Sequence, residues 1–134
     1  MFVESFLFFG LFFISAIAIV GIFLFLYAIV TPYDDYQLIF KDNNTSAAVG
    51  FGGAIVGLCI PLYSALISSV SYVDFLVWAV VAMFIQLFFA FIMTRMKGKF
   101  AVEKLINEGV ISVGVLMAFI SISIGLLNAG SMSY

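Results

Sequence analysis

The chain has 134 residues, of which 66% are hydrophobic and 9% are charged, and its formal net charge is −2. Its mean hydropathy of +1.31 excludes a soluble globular domain, because a chain of this size has too little interior to hide so much apolar surface. With five cationic residues, no His and one Cys, the composition argues against nucleic-acid binding, a protein-built metal site and an internal disulfide.

Four apolar stretches are each long enough to cross a hydrocarbon core of ~30 Å, which takes about 20 helical residues. We predict transmembrane helices at residues 6–30, 47–67, 75–93 and 110–128. The first stretch is too long for the apolar part of a cleavable signal peptide, and no positive charge precedes it. The predicted fold class is an all-α membrane protein with four transmembrane helices, forming one membrane domain over residues 1–134.

The segments that follow the first and third spans carry signals of their own. Thr31-Pro32-Tyr33-Asp34 predicts a short helix with Thr31 as its N-cap and Pro32 in its first turn. The aromatic residues after it place this helix at the membrane interface. Asn residues at 43 and 44 and the Asn-Glu pair at 107–108 are expected to cap the second and fourth spans.

The positive charges indicate the orientation of the chain in the membrane. All five fall in the segments after the first and third spans, at Lys41, Arg95, Lys97, Lys99 and Lys104. By the positive-inside rule these segments are cytoplasmic, so both the N-terminus and the C-terminus lie outside. Arg95, Lys97, Lys99 and Lys104 are also candidates for contact with anionic lipid headgroups, at about 1 kcal/mol per charge. Their role in setting topology explains them equally well.

The two halves of the chain repeat each other. Residues 6–67 and 75–130 each form a hydrophobic hairpin, and from the second span onward they match at an offset of 64 residues, as in Gly50/Gly114 and Ser64/Asn128. Because both hairpins have the same predicted orientation, we interpret them as parallel repeats related by an axis along the membrane normal.

Bulky and small residues are divided unequally among the spans. The first and third spans hold seven and five of the 17 Phe, whereas the second and fourth hold one each and carry small residues at helical spacing instead. Small residues let membrane helices approach closely. We therefore predict that spans two and four lie inside the bundle and spans one and three outside. One face of span three, which includes Ala79, Ala82 and Met83, should lean on the inner helices and leave Phe84, Phe88 and Phe91 for lipid or for a neighbouring copy. The predicted packing residues are Gly50, Gly53, Gly57, Gly114, Ala118 and Ala129.

Little in the sequence points to catalysis or to proton-coupled transport. No carboxylate lies in the central stretch of a predicted span, where a proton-coupled carrier usually places one. Gly50-Phe51-Gly52-Gly53 lacks the ending of a phosphate-binding loop and lies within an apolar helix. We expect no enzymatic activity, no catalytic residues, no cofactor and no metal ligands.

Polar atoms cluster at one level of the predicted bundle. Pro61 and Gly125 weaken spans two and four at equivalent positions, and such paired interruptions are the best sequence indication of a membrane binding site. The candidate pore or cavity residues are Pro61, Ser64, Gln86, Ser121, Gly125 and Asn128. The alternative is a packing kink with interhelical hydrogen bonds, each worth about 0.6 kcal/mol.

Several motifs resemble a known family. They include Thr31-Pro32-Tyr33, the Ile60-Pro61-Leu62 tripeptide, Gln86-Leu87 and the closing Gly125-Leu126-Leu127-Asn128-Ala129. Together they resemble the family built from domain of unknown function 350, small bacterial inner-membrane proteins of the YjfL type. The resemblance covers nearly the whole chain and implies four helices and a multi-pass inner-membrane location. It implies no activity and no catalytic residues, and suggests envelope stress by association only.

Three hypotheses of function follow. The leading one is a homo-oligomer whose second and fourth helices surround a small pore or ligand cavity. The second is a membrane scaffold of an envelope-stress system that recruits a cytoplasmic stress-response protein through residues 33–44 and 95–108. The third is a lipid-binding membrane protein.

Overall fold

The computed structural model describes residues 1–132. It contains six α-helices and a short 3-10 turn at Gly98–Phe100. The helices are α1 (Phe2–Val30), α2 (Asp35–Phe40), α3 (Thr45–Ser68), α4 (Tyr72–Thr94), α5 (Val102–Asn107) and α6 (Ile111–Ser131). Four of these, α1, α3, α4 and α6, are long and apolar enough to cross a membrane. The prediction of four membrane-capable helices is confirmed, although α1 begins four residues earlier than predicted.

Two of the predicted helix starts are wrong. Thr31 does not begin a helix: its backbone N–H bonds to the Tyr27 carbonyl and it ends α1 in an extended conformation. Asp34 is the N-cap of α2 instead, because its carboxylate accepts a hydrogen bond from the Gln37 N–H at 3.1 Å. Asn107 is the last residue of α5, and Val110 precedes α6 without a side-chain cap.

The predicted cap of α3 is confirmed. The side-chain oxygen of Asn44 accepts a hydrogen bond from the Ala47 N–H at 3.0 Å. A side-chain acceptor at this position satisfies one of the backbone donors that a helix leaves open at its N-terminus.

Helices α3 and α6 lie side by side and run in the same direction. A Cβ added at Gly114 would overlap the Ser46 carbonyl, one added at Gly53 would overlap the Ala118 backbone, and one added at Gly125 would overlap the Gly57 carbonyl. The residue numbers rise together along both helices, which shows that the pair is parallel. Backbones this close require glycine or another small residue at each contact.

The predicted packing of one face of α4 on the inner helices is confirmed, although the helix is more buried than an outer position implies. This helix packs against α1, α3 and α6, and 39% of its most apolar window is buried, compared with 33% for α6 and 22% for α1. The physical reason is a stripe of small and flexible residues along α4, which includes Ala79, Ala82 and Met83 and fits between its neighbours. The opposite face of α4 points outward, with Phe84 and Phe88 about 60% exposed.

Helix α1 runs parallel to α4 and antiparallel to α3. At one end Ser15 and Tyr72 share a hydrogen bond between their hydroxyls at 2.6 Å. At the other end the Arg95 guanidinium donates to the Val30 carbonyl at 2.9 Å. Both hairpins therefore point the same way in the bundle.

The segments with the positive charges fold together at one end of the bundle. We call residues 31–44 and 95–110 the basic-end layer. Its two segments are joined across the chain by a hydrogen bond from the Asn44 amide to the Ile106 carbonyl at 2.7 Å. A small apolar core, including Tyr33, Leu38 and Val102, holds the layer against the helices. Within residues 1–132, all five cationic side chains lie in this layer.

Candidate functional site

The predicted pore residues are packed inside the chain. Gln86 on α4 is 5% exposed, and its amide N–H donates to the Ser121 carbonyl on α6 at 3.2 Å. The Asn128 amide on α6 donates to the Gln86 side-chain oxygen and to the Ala82 carbonyl, both at 3.4 Å. The structure thus brings Gln86, Ser121 and Asn128 together in a buried polar seam between α4 and α6.

The other three predicted pore residues lie between α3 and α6. The Ser64 hydroxyl donates to the Ala129 carbonyl at 3.4 Å, while Pro61 and Gly125 are buried. Because Pro61 has no N–H, it leaves the Gly57 carbonyl without its normal helical partner. That carbonyl lies against the backbone of Gly125, where close approach permits weak Cα–H···O contacts.

An apolar groove lies beside α6 at the basic end. It has a volume of about 280 Å³ and is bounded by the end of α4, the 3-10 turn, α5 and the first half of α6. Its lining residues are Met93, Met96, Lys99, Phe100, Val102, Leu105, Val113, Leu116, Met117 and Ile120. Since Leu116 and Ile120 are 59% and 38% exposed, the groove is open along the outer surface of the transmembrane helix α6.

Local sequence explains why this groove has a charged rim. Gly98 adopts φ +77°, a conformation that glycine reaches without strain. The 3-10 turn that begins there holds Lys99 and Phe100 at the groove, with the Lys99 ammonium 5.3 Å from the centre of the Phe100 ring. Met93, Met96 and Met117 line the interior with flexible side chains that adapt to irregular apolar ligands.

The charges around the groove are mostly positive. Residues 95–107 carry four cations and one anion, Glu103. Arg95 is fixed in place, because it bonds to the Val30 carbonyl and its guanidinium lies 4.6 Å from the centre of the Phe91 ring. Lys97 and Lys104 are exposed. An apolar groove with a basic rim is suited to an amphipathic anion.

A buried carboxylate, which the sequence analysis missed, lies nearby in the same layer. Asp35 is 1% exposed, and its Oδ2 accepts a hydrogen bond from the Thr31 hydroxyl at 2.5 Å. Its Oδ1 has no hydrogen-bond partner among the described residues. Burial raises the pKa of Asp35 to about 6, although the Thr31 hydrogen bond opposes the shift.

The segment around Asp35 is anchored to α6. The Tyr33 hydroxyl donates to the Met117 sulfur at 3.9 Å, and Tyr27 lies next to both Tyr33 and Asp35. Asp35 lies just after the first predicted span, so the lack of carboxylates within the spans did not reveal it. The available signal was an acid four residues after Thr31, surrounded by aromatic residues.

Among residues 1–132, no group of three or more His, Cys, Asp or Glu could hold a metal ion.

Comparisons with known proteins identify the family. The model of the Domain of Unknown Function (DUF350) family matches residues 1–132. The UPF0719 inner membrane protein YjfL of Escherichia coli K12 is 38% identical over 131 residues, covering 98% of this chain and 97% of YjfL. The protein of the same name in Escherichia coli O157:H7 gives the same values. No solved structure matches the chain significantly. Four membrane-capable helices, the family match and an inner-membrane relative together show that the chain belongs to the DUF350 family, as a multi-pass inner-membrane protein.

Proposed function

We propose that the protein is a non-enzymatic lipid-binding membrane protein that holds an anionic phospholipid in the groove beside α6. An acyl chain would lie against Leu116 and Ile120, and the phosphate would lie near Lys99. The observation that carries this proposal is the joint presence of an apolar groove open along the outer surface of α6 and a cation at its rim. Basic pockets beside transmembrane helices on the cytoplasmic side are suited to anionic headgroups.

Charge and apolar contact both contribute to the proposed binding. Each basic residue near the membrane surface contributes about 1 kcal/mol toward an anionic lipid, and each methylene group buried contributes about 0.8 kcal/mol. An acyl chain in ordinary bilayer already has an apolar environment, so selectivity between lipids must come mainly from the charges. The proposal therefore predicts a preference by headgroup charge rather than by chain length.

Orientation is part of the same proposal. The basic-end layer is placed on the cytoplasmic side by the positive-inside rule, with both termini outside. The hairpins α1–α3 and α4–α6 are proposed as parallel repeats. Support comes from contacts between residues that occupy equivalent positions in the two repeats, 64 residues apart. The Ser46 hydroxyl donates to the Val110 carbonyl at 2.7 Å. Gly57 lies against its equivalent, Ser121.

Native mass spectrometry tests the lipid proposal. The protein would be released from nanodiscs that contain equal amounts of phosphatidylglycerol and phosphatidylcholine, and the retained lipid counted. We expect preferential retention of phosphatidylglycerol by the wild type and its loss in Lys99→Gln. The matched control is Lys41→Gln, which removes the same charge from the other segment of the layer, outside the groove. Equal retention of both lipids by the wild type would contradict the proposal.

A second pair of variants tests the groove itself. Val113→Phe would fill the groove, because Val113 is half-buried in its wall, whereas Leu126→Phe adds a ring on an exposed part of α6. We expect reduced lipid retention only in Val113→Phe. Equal retention by the two variants would mean that lipid binds elsewhere on the protein.

The homo-oligomeric pore is a second candidate. Within one chain Gln86 and Asn128 are buried against each other and α3 and α6 meet backbone to backbone, so a path for ions would have to form between copies. Liposome ion-flux assays of the wild type test this, and no flux would count against the pore. The scaffold alternative predicts instead that substitutions in residues 33–44 abolish partner recruitment while lipid retention is unchanged.

A further inference from the structure

Asp35 lies in a position that is unfavourable for a charged carboxylate. It begins α2, directly after the extended segment that connects α2 to α1. Its side chain is almost fully buried, and only the Thr31 hydroxyl donates to it from another side chain. Its second oxygen is buried without a partner in the described chain. A buried ionised carboxylate normally requires a cation or several hydrogen-bond donors.

The surroundings supply no compensating positive charge. Tyr27 from α1 and Tyr33 from the connecting segment face the carboxyl, and both are neutral hydroxyls at physiological pH. The neighbouring Asp34 adds a like charge, and on the side of α6 the uncharged Met117 thioether accepts the Tyr33 hydrogen bond. The Arg95 guanidinium bonds to the Val30 carbonyl instead. No ion pair to Asp35 exists within residues 1–132.

We propose that Asp35 is a proton-binding site, whose protonation stabilises the packing of the basic-end layer against the bundle and whose ionisation loosens it. The proton would reside on the carboxyl, which thereby becomes neutral and suited to its buried position. This proposal rests on Asp35 and its contacts, and it does not require the lipid groove.

The direction of the pH effect follows from the burial. Burial raises the pKa of Asp35 from 3.8 to about 6, so the packed layer binds the proton more tightly than the loosened layer does. Stabilisation is complete at low pH and is lost as the pH rises through about 6. Lowering the pH from 7.5 to 5 therefore raises the ratio of packed to loosened layer about tenfold.

Hydrogen exchange of the wild-type protein in nanodiscs measures this equilibrium. The amide N–H groups of Leu38 and Lys41, which bond to the Asp34 and Gln37 carbonyls, report the opening of α2. We expect their protection factors, corrected for the intrinsic pH dependence of exchange, to rise about tenfold from pH 7.5 to pH 5. Asp35→Asn, which keeps the shape without the titrating proton, should abolish the rise. Asp42→Asn, an exposed acid in the same layer, should retain it.

A spectroscopic titration keeps the test independent of how the variants fold. Carbon-13 NMR of aspartate-labelled wild type should show one Asp carboxyl that titrates near pH 6. An Asp35 carboxyl that titrates near its ordinary value, or a pH effect that persists unchanged in Asp35→Asn, would overturn the proposal. A titration that moves when choline replaces sodium and potassium would also overturn it, because the ligand would then be a metal cation.

Discussion

The α3–α6 contact yields the sharpest stability prediction, because two adjacent glycines on α3 lie in opposite environments. A Cβ added at Gly53 would overlap the backbone and the Cβ of Ala118, whereas one added at Gly52 has nothing within 4 Å. The overlap at Gly53 involves backbone atoms, so it can be relieved only if the helices separate. The substitutions to compare are therefore Gly53→Ala and Gly52→Ala.

The expected difference follows from this geometry. Gly→Ala favours a helix by about 0.8–1 kcal/mol at an open position, and that gain is common to both variants. Overpacking at a close contact costs about 1–3 kcal/mol, and it applies to Gly53→Ala only. The free energy of unfolding of the two variants should therefore differ by about 1–3 kcal/mol, with Gly53→Ala the less stable.

Steric-trap unfolding in bicelles measures these free energies without leaving a membrane-like solvent. Gly52→Ala should equal or exceed the wild type in stability. If the two variants were equally stable, α3 and α6 would not be in close backbone contact at Gly53, which would contradict the packing of this pair.

Three further predictions follow from particular contacts. Asn128→Leu leaves the Gln86 amide oxygen buried without its donor, so the free energy of unfolding in a steric-trap experiment should fall by about 1–2 kcal/mol. The control Ser123→Ala, at an exposed serine on the same helix, should leave this free energy unchanged. Asn44→Ala removes both the α3 cap and the hydrogen bond to the Ile106 carbonyl and should lower the free energy of unfolding by about 1–2 kcal/mol. A free energy of unfolding equal to that of the wild type would contradict this expectation. For Asp35, the shift of its pKa from 3.8 to about 6 corresponds to about 3 kcal/mol, so thermal melts should show stability falling from pH 4 to pH 7 in the wild type and not in Asp35→Asn.

The positions of the membrane spans were largely predictable, because the length and hydropathy of each apolar stretch identify it. The spans at 47–67 and 75–93 lie within α3 and α4 as observed. The start of α2 was not predictable in the same way. Thr31 and Asp34 are both good N-cap residues, and only the hydrogen bond from the Thr31 N–H to the Tyr27 carbonyl shows that Thr31 ends the preceding helix instead.

The environment of α4 was predictable from the spacing of its residues but not from its composition. Its five Phe residues suggested an outer helix, whereas the spacing of its small residues predicted the face that packs on the inner helices. Composition averages over these two faces, whereas packing distinguishes them: Phe75 is fully buried and Phe84 is 60% exposed. Spacing along the helix carries this information, and counts of residue types do not.

The candidate site depends on tertiary structure to an even greater extent. The basic residues were visible in the sequence, but the groove requires α5 to pack beside α6 and the turn that begins at Gly98 to lie next to them. Asp35 looked like an ordinary interfacial acid. Its burial depends on Tyr33 reaching Met117, 84 residues away along the chain, and no local pattern encodes that distance.

Photo-crosslinking with a phosphatidylglycerol that carries a diazirine near the end of one acyl chain tests the lipid proposal most directly. In nanodiscs, mass-spectrometric mapping should place the crosslinks mainly on Leu116 and Ile120 of α6, and an excess of unlabelled phosphatidylglycerol should compete where phosphatidylcholine does not. Crosslinks spread evenly over the outward face of α4, at Phe84 and Phe88, with no difference between the two competitors, would contradict a specific lipid site in the groove.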